Sequence, residues 1–279
     1  MNERGTVRPS ALAGAWYPAA QPALKRSVSQ LLEAASPIDE LTHLDTLIVP
    51  HAGHAYSGRV AGKAWGALKS SSRAAPIERV VLIGPAHRVA FDGLALGDFM
   101  AFDHPLGPTT VDRDALRELE REGLGAFVPG AHDQEHCLEI ELPFLALTLP
   151  GVPIVPLLIG LGPERALSTR VDAALDAVLR PTDLLVVSSD LSHFRPYDEA
   201  RAYDTETLTR ILSLDCHLDG ERACGYKGVQ AAIRRAQRRT LSPVLLDYET
   251  SGDTAGDRRS VVGYGALAFG VTAQRPTLA

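Results

Sequence analysis

Four apolar runs, each too short for a helix, lie between residues 46 and 190. They are TLIVP (46–50), RVVLIGP (79–85), VPIVPLLIG (152–160) and DLLVVSSD (183–190). Apolar residues fill these runs continuously, which is typical of strands that are covered on both faces. The amphipathic stretches around them predict helices at 57–70, 112–122, 137–149 and 163–179. The pattern therefore predicts an α/β fold in which helices flank a central, mainly parallel or mixed sheet.

The two ends of the chain carry different signals. Near the start, Leu24, Val28, Leu31 and Leu32 are spaced for one face of a helix. Near the end, SPVLLDYETSGD and SVVGYGALAFG predict strands joined by a segment rich in Gly and Asp. We expect these strands to pair antiparallel and to extend or flank the main sheet. Since the chain has no internal repeat or long linker, residues 1–279 are predicted to form one domain.

Composition narrows the range of functions. A formal net charge of −6 gives no reason to expect nucleic-acid binding, which calls for clustered Lys and Arg. The one basic run, Arg234 to Arg239, is predicted to be the solvated end of a helix. No stretch resembles a signal peptide or approaches the ~20 apolar residues that cross a bilayer. We therefore expect a cytoplasmic protein with no membrane partner, in which Cys137, Cys216 and Cys224 are free thiols.

Histidines follow three of the four predicted strands. His51 comes after the first run, His87 after the second, and His193 follows Asp190 after the fourth. Ligands of open parallel sheets bind beyond the carboxyl ends of the strands, so we expect these side chains at one edge. Burying several imidazoles together requires a partner such as a metal or a carboxylate. The sequence therefore predicts a functional site at this edge.

Two further segments carry chemistry. Asp190 and His193 share a face if DLSHF starts a helical turn, with Asp190 as helix cap and part of the site and His193 as ligand or general base. Cys224 opens CGYKGVQAAIRRA, a loop that leads into a predicted helix. A thiol at a helix N-terminus has a lowered pKa and can be a metal ligand or a nucleophile. Alone, such a cysteine is more often a buried small residue.

The segment HDQEHCLEIELPFL is a second candidate for a site. Two pairs of its residues are four apart and would share a helical face: His132 with His136, and Glu135 with Glu139. The HxxxH spacing occurs in zinc sites, but the HExxH order of zinc proteases is absent, and acids at a helix start also serve as caps. We assign His136 and Glu139 to the pocket lining or to the shell around the site. Cys137 is predicted to be a structural residue of this helix.

Seven motifs together point to a known family. In order, they are VRPSALAGAWYP, IVPHAGHAYSG, VLIGPAH, EHCLEIELPFL, VVSSDLSHF, CGYKGVQAAI and YETSGD with SVVGYGALAF. This series resembles the Memo family, whose prokaryotic members are called AmmeMemoRadiSam system protein B. The matches run from Arg8 to Phe269 and cover nearly the whole chain. The family's fold is similar to that of the class III extradiol ring-cleaving dioxygenases, the LigB-like enzymes, which use non-haem Fe(II).

The resemblance implies a metal centre built on His51, His87 and Cys224, with Asp190 and His193 beside it. His193 falls where the dioxygenases place an acid/base histidine. Those enzymes complete their iron site with a carboxylate, whereas Cys224 takes that position here. A thiolate shifts the preference toward copper or zinc, although Fe(II) remains the favoured divalent metal.

The resemblance leaves the role of His54 and the reaction open. His54 replaces the aromatic residue usual after PHAG in the family and adds an imidazole near the pocket. One hypothesis is an oxygenase or redox protein that acts on a small aromatic or phenolic molecule. A second is a binding or adaptor protein that recognises a peptide or a small anionic ligand, and a third is a redox site in which Cys224 changes oxidation state. The family's system name also implies a radical-SAM partner.

Overall fold

All four apolar runs form strands in the structure, a computed structural model that describes residues 6–38, 40–70 and 76–272. The strands are β1 (Val7–Arg8), β2 (Leu41–Val49), β3 (Arg79–Pro85), β4 (Leu94–Leu96), β5 (Ala101–Phe102), β6 (Thr109–Thr110), β7 (Ala126–Phe127), β8 (Ile154–Ile159), β9 (Asp183–Ser188), β10 (His193–Arg195), β11 (Ser242–Thr250) and β12 (Val261–Thr272). Within the described residues, a nine-stranded sheet has the order β10-β12-β2-β9-β3-β8-β4-β7, and β11 also pairs with β12. A small separate sheet has the order β1-β5-β6.

The centre of the large sheet is parallel. β2, β9, β3 and β8 lie side by side and run in one direction, and they are buried except at the start of β2 and the end of β3. Both faces of these strands are therefore covered, as their continuous apolar sequences predict. The outer strands make the sheet mixed, because β4 is antiparallel to β8 and β12 is antiparallel to β2. The predicted antiparallel pairing of the last two strands is confirmed in β11 and β12.

Helices flank the sheet, which confirms the predicted fold class. They are α1 (Gln21–Glu33), α2 (Gly58–Ser70), α3 (Arg113–Arg121), α4 (Leu142–Thr148), α5 (Glu164–Val178), α6 (Tyr197–Leu212), α7 (Tyr226–Arg239) and α8 (Ser251–Thr254), with a 3₁₀ turn at Glu139–Glu141. Contacts link α1, α2 and α4 to one another, while α5 contacts α3 and α7, and α7 packs against β3 and β9. No helix of the described part of the chain is long and apolar enough to cross a membrane.

Local sequence explains how α1 and α2 pack. α1 begins with a proline in its first turn and buries Leu24, Val28 and Leu32, which recur every four residues on one face. In α2, a Cβ atom added at Gly62 would lie 2.5 Å from a carbonyl oxygen of α1. Only glycine permits the two backbones to approach this closely.

The basic run at the end of α7 is neutralised by acids of the same chain. Arg234 pairs with Asp172, Arg235 and Arg239 with Asp45, and Arg238 with Asp176. The prediction of a solvated helix end is correct for the exposed Arg238 and Arg239 but wrong for Arg235. The side chain of Arg235 is buried because α7 packs on the sheet and brings the guanidinium onto the Asp45 carboxylate of β2.

Replacing Asp45 by Asn should lower the free energy of unfolding by about 3 kcal/mol, because Arg235 then stays buried without a counter-charge. Urea denaturation at neutral pH measures the change. The matched control is Asp176→Asn, whose partner Arg238 is exposed, and which should cost less than about 1 kcal/mol. Equal losses in the two variants would contradict a stabilising role for the buried pair.

Candidate metal centre

The candidate centre lies where three neighbouring parallel strands end. β9 lies between β2 and β3, so the carboxyl ends of these strands are adjacent. His51 follows β2, His87 follows β3 and Asp190 follows β9, each two residues beyond the strand. Cys224 comes from the loop before α7, where its backbone N–H donates to the Asp190 carbonyl oxygen at 3.3 Å. The fold thereby gathers residues that are distant in sequence at one edge.

Three donor atoms converge in this centre. One ring nitrogen of His51, one of His87 and the sulfur of Cys224 all lie within 4.8 Å of one another. Cys224 Sγ is 3.2 Å from His51 Nε2, and the two imidazole centroids are 5.2 Å apart. His51 is buried, whereas His87 is exposed and Cys224 partly so. Two nitrogens and a sulfur form a donor set suited to a transition metal, and the exposed side leaves access from solvent.

Hydrogen bonds fix the orientation of His51. The Ser188 hydroxyl donates to the Cys137 carbonyl oxygen at 2.6 Å, so its oxygen accepts from His51 Nδ1 at 2.8 Å. The Nε2 lone pair of His51 then faces Cys224. Burial and the neighbouring histidines hold the pKa of His51 well below its usual value, so the ring is neutral. A neutral imidazole with a free Nε2 is the form that binds a metal.

Glu135 has the same role for His87. Glu135 Oε1 accepts from His87 Nδ1 at 2.9 Å, and Oε2 accepts the backbone N–H groups of His87 at 2.6 Å and Arg88 at 3.2 Å. Burial acts to raise the pKa of the Glu135 carboxyl. Hydrogen bonds from the neighbouring histidines outweigh this effect and hold that pKa far below its usual value. The carboxylate orients His87 and leaves its Nε2 free. No spacing pattern could pair these residues, because 48 positions separate them.

The His136 ring lies beside the rings of His51 and His87. Its ring centroid lies 4.4 Å from that of His87 and 5.3 Å from that of His51, and Trp16 packs on it at 4.7 Å. His136 Nδ1 is 3.0 Å from Glu135 Oε1 but makes no hydrogen bond with a described residue. Donor atoms of His87, Glu135 and His136 form a second group within 4.8 Å.

Glu139 lies elsewhere, because the predicted helix at 137–149 begins only at Leu142, after the 3₁₀ turn. The four-residue spacing of the segment therefore defines no helical face. The Glu135 carboxylate accepts the backbone N–H of His136 at 3.0 Å, which removes a donor that a helix would use. Glu139 instead pairs with buried Arg8 and accepts from the Tyr17 hydroxyl at 2.7 Å. It anchors the N-terminal segment of the described chain.

His54 is separated from the donor groups by its packing. The ring is buried against Phe144, at a centroid distance of 4.8 Å, and Tyr17, at 5.5 Å. Its Nε2 lies 3.4 Å from the Ile140 carbonyl oxygen, and burial lowers its pKa to about 4. His54 belongs to neither group of candidate ligands in the described chain. Of the two histidines in PHAGH, only His51 faces the centre.

Asp190 binds the backbone of a candidate ligand. Its Oδ1 accepts the His51 backbone N–H at 2.7 Å, which fixes the turn after β2. Burial raises the pKa of the Asp190 carboxyl to about 6, although this hydrogen bond and the nearby imidazoles act to lower it. The prediction that Asp190 caps a helical turn is wrong. The residues between β9 and β10 are not helical, and β10 begins at His193.

His193 presents one free nitrogen. Its Nδ1 donates to the Leu191 carbonyl oxygen at 2.9 Å, so in the neutral form of the ring Nε2 carries the lone pair. Pairing of β10 with β12, together with a left-handed Phe194 (φ 61°), replaces the predicted helical turn. His193 therefore takes its position from the sheet. His193 is among the electrostatic neighbours that act on the pKa of His51 and of Asp190, which indicates that it lies near them.

The pKa of the Cys224 thiol is raised, whereas the sequence predicts a lowered one. It precedes the start of α7, but burial and the nearby Asp190 carboxylate raise the pKa of its thiol to about 12. The effect of burial on the thiol pKa therefore outweighs the opposite effect of the helix dipole. Cys137 is also buried and its thiol donates to the Pro85 carbonyl oxygen, so it is structural, although it lies before the helix rather than within it.

Comparisons with known proteins agree on one family. The model of the family described as "Memo-like protein" matches residues 8–268. A MEMO1 family protein of Archaeoglobus fulgidus is 31% identical over 95% of this chain and 100% of its own length. MEMO1 family proteins of Caldivirga maquilingensis and Ignicoccus hospitalis are 30% and 32% identical over 94% of this chain, covering 99% and 98% of their own lengths.

In metal-depleted protein at pH 8, iodoacetamide should modify Cys224 at least ~100-fold more slowly than it modifies the same residue in urea-unfolded chain. Only the thiolate reacts, and a pKa of about 12 leaves very little thiolate. Mass spectrometry of the peptide that contains Cys224 measures the rate. Equal rates in the folded and unfolded protein would show that the native thiol is ionised and would favour a nucleophilic cysteine.

Proposed function

The chain belongs to the Memo family, and from this premise we propose that it is a mononuclear metalloprotein with oxygenase or redox activity on a small aromatic or phenolic molecule. His51, His87 and Cys224 would hold one divalent metal. The observation that carries the proposal is the convergence of their three donor atoms within 4.8 Å at the edge of the parallel sheet.

The two imidazole donors are oriented to bind a metal. Both imidazoles are held through Nδ1, one by Ser188 and one by Glu135, so Nε2 is the nitrogen that each would offer to a metal. Such outer partners fix ligand rings in many metal sites. Two imidazoles and a thiolate suit Fe(II), copper or zinc, and we favour Fe(II) because of the resemblance to the extradiol dioxygenases.

When bound, iron(II) supplies the Lewis-acid and redox chemistry that ring cleavage of a catechol by O₂ requires. Ring cleavage places both oxygen atoms of O₂ in the product and breaks one carbon–carbon bond, so it consumes no separate reductant. His193 would accept the phenolic proton at its free Nε2. Asp190 would act by positioning His51 through the backbone N–H rather than by touching the substrate.

Metal analysis tests the proposal first. Protein isolated without chelators should contain about one metal ion per chain, and His51→Ala should lose it because one of three ligands is removed. The matched control is His54→Gln, which should keep its metal because His54 lies outside the donor groups. Elemental analysis of both variants gives the result. Full metal content in His51→Ala would refute the ligand assignment.

Activity separates a catalyst from a binding protein with the same centre. Anaerobic reconstitution with Fe(II), followed by catechol and oxygen, should give oxygen uptake that is lost in His193→Ala while its metal content stays unchanged. Stoichiometric metal without turnover of any catechol would refute the oxygenase proposal. That outcome would favour a protein that binds or handles the metal without catalysis.

Zinc binding to the metal-depleted protein at pH 7.5 should release about one proton per metal ion. Cys224 must ionise from a thiol of pKa about 12, whereas His51 is already neutral. Calorimetry in two buffers of different ionisation enthalpy measures the proton count. Cys224→Ala should release almost none, and binding without proton release in the parent protein would exclude Cys224 as a ligand.

A further inference from the structure

A cavity of about 400 Å³ opens beside the candidate metal centre. His87 and Cys224 form part of its lining, and the first turn of α7 supplies another part through Tyr226 and Lys227. The volume falls in the range of small-molecule binding sites. A molecule in this cavity would therefore touch the metal ligands and the start of α7 together.

Lys227 is unusual for a lysine because its side chain is only 8% exposed. Its Nζ makes no hydrogen bond with a described residue. The nearest carboxylate oxygen, Glu164 Oε1, lies 3.0 Å away outside hydrogen-bond geometry, on a side chain that is 69% exposed. Burying an ammonium costs several kcal/mol unless it is paired and hydrogen-bonded, and an exposed glutamate together with the Tyr226 ring, whose centroid is 4.7 Å from Nζ, offsets only part of that cost. The ammonium therefore has donors left for a further partner.

The surroundings of Lys227 favour an anion. The cavity lining includes a second cation, Arg88, and contains no Asp or Glu. The guanidinium of Arg88 makes no ion pair within the described chain, since only its backbone N–H is bonded to Glu135. The backbone N–H groups of Lys227 and Gly228 at the start of α7 donate to no described residue either. Free N–H groups at a helix N-terminus, together with the dipole, attract negative charge.

We propose that this cavity binds the anionic group, carboxylate or phosphate, of a small-molecule substrate, with Lys227 as the residue that recognises it. The inference rests on the proposed function and deepens it, since it names the substrate class of the same centre. The anion binds at the start of α7, while the rest of the molecule extends toward His87 and Cys224. Lys227 is a binding residue that sets specificity.

The opposing interpretation is that Lys227 serves only to pair with Glu164. The two interpretations predict opposite effects of Glu164→Gln. If Glu164 competes with the ligand for the ammonium, its neutralisation strengthens anion binding. If the pair is purely structural, the substitution weakens the protein and leaves anion affinity unchanged.

The test uses the full chain and three simple probes: benzoate, phenyl phosphate and the neutral isostere benzamide. Isothermal titration calorimetry should show at least one anion binding about tenfold or more tightly than benzamide, because a charged hydrogen bond to a buried ammonium is lost with the amide. Lys227→Met should abolish that difference, and Lys227→Arg should retain most of it. The matched control is Lys25→Met, at an exposed position of α1, which should bind like the parent. The preferred anion distinguishes a carboxylate from a phosphate substrate.

Metal content is measured on each sample, so the two proposals can fail separately. The inference is overturned if the preference for an anion over benzamide survives in Lys227→Met. It is also overturned if protein of full metal content shows no such preference, and both outcomes leave the metal centre intact. Selectivity that depends on Lys227 in protein without metal supports the inference and counts against the metal centre. An increase in anion affinity in Glu164→Gln supports the inference, and unchanged affinity overturns it.

Discussion

The candidate centre depends on one buried carboxylate, that of Glu135. It accepts backbone N–H groups on both sides of the centre, from His87 and Arg88 after β3 and from His136 in its own segment, as well as the Nδ1–H of His87. One side chain therefore fastens the turn after β3 to the segment before α4. Its charge persists in a buried position because hydrogen bonds replace the water that it loses. Without this anchor, His87 would have no fixed orientation beside His51.

The large sheet follows from the sequence, but the order of its strands does not. Continuous apolar runs identify β2, β3, β8 and β9 as strands covered on both faces, which determines the layered α/β arrangement. The position of β9 between β2 and β3 is a long-range outcome that no local pattern contains. That order places the residues after three strand ends next to each other. The rings of His51 and His87 meet at this edge, and the strand order that brings them together was visible only in the fold.

The helical assignments failed where side chains take over backbone donors. The Glu135 carboxylate accepts the main-chain N–H groups of His136 and Cys137, so the segment around His136 folds as turns rather than as the helix that its spacing suggested. After Asp190, the strand pairing of β10 determines the conformation instead of the three-residue spacing to His193. The pairing of Glu135 with His87 and the burial of Lys227 have no signature in the sequence. The position of Cys224 followed from the family motif and the start of α7, whereas its raised pKa reflects burial.

The late position of β9 between two early strands has a kinetic consequence. His51 and Cys224 are separated by 173 residues. β9, which lies between β2 and β3 in the sheet, is synthesised after both of those strands. Closing such a long loop costs entropy before any contact compensates for it, so a topology of this kind folds slowly. During synthesis, the donor atoms stay apart until most of the chain has left the ribosome. The candidate donor set of His51, His87 and Cys224 is therefore complete only at the end of folding, once the sheet has formed.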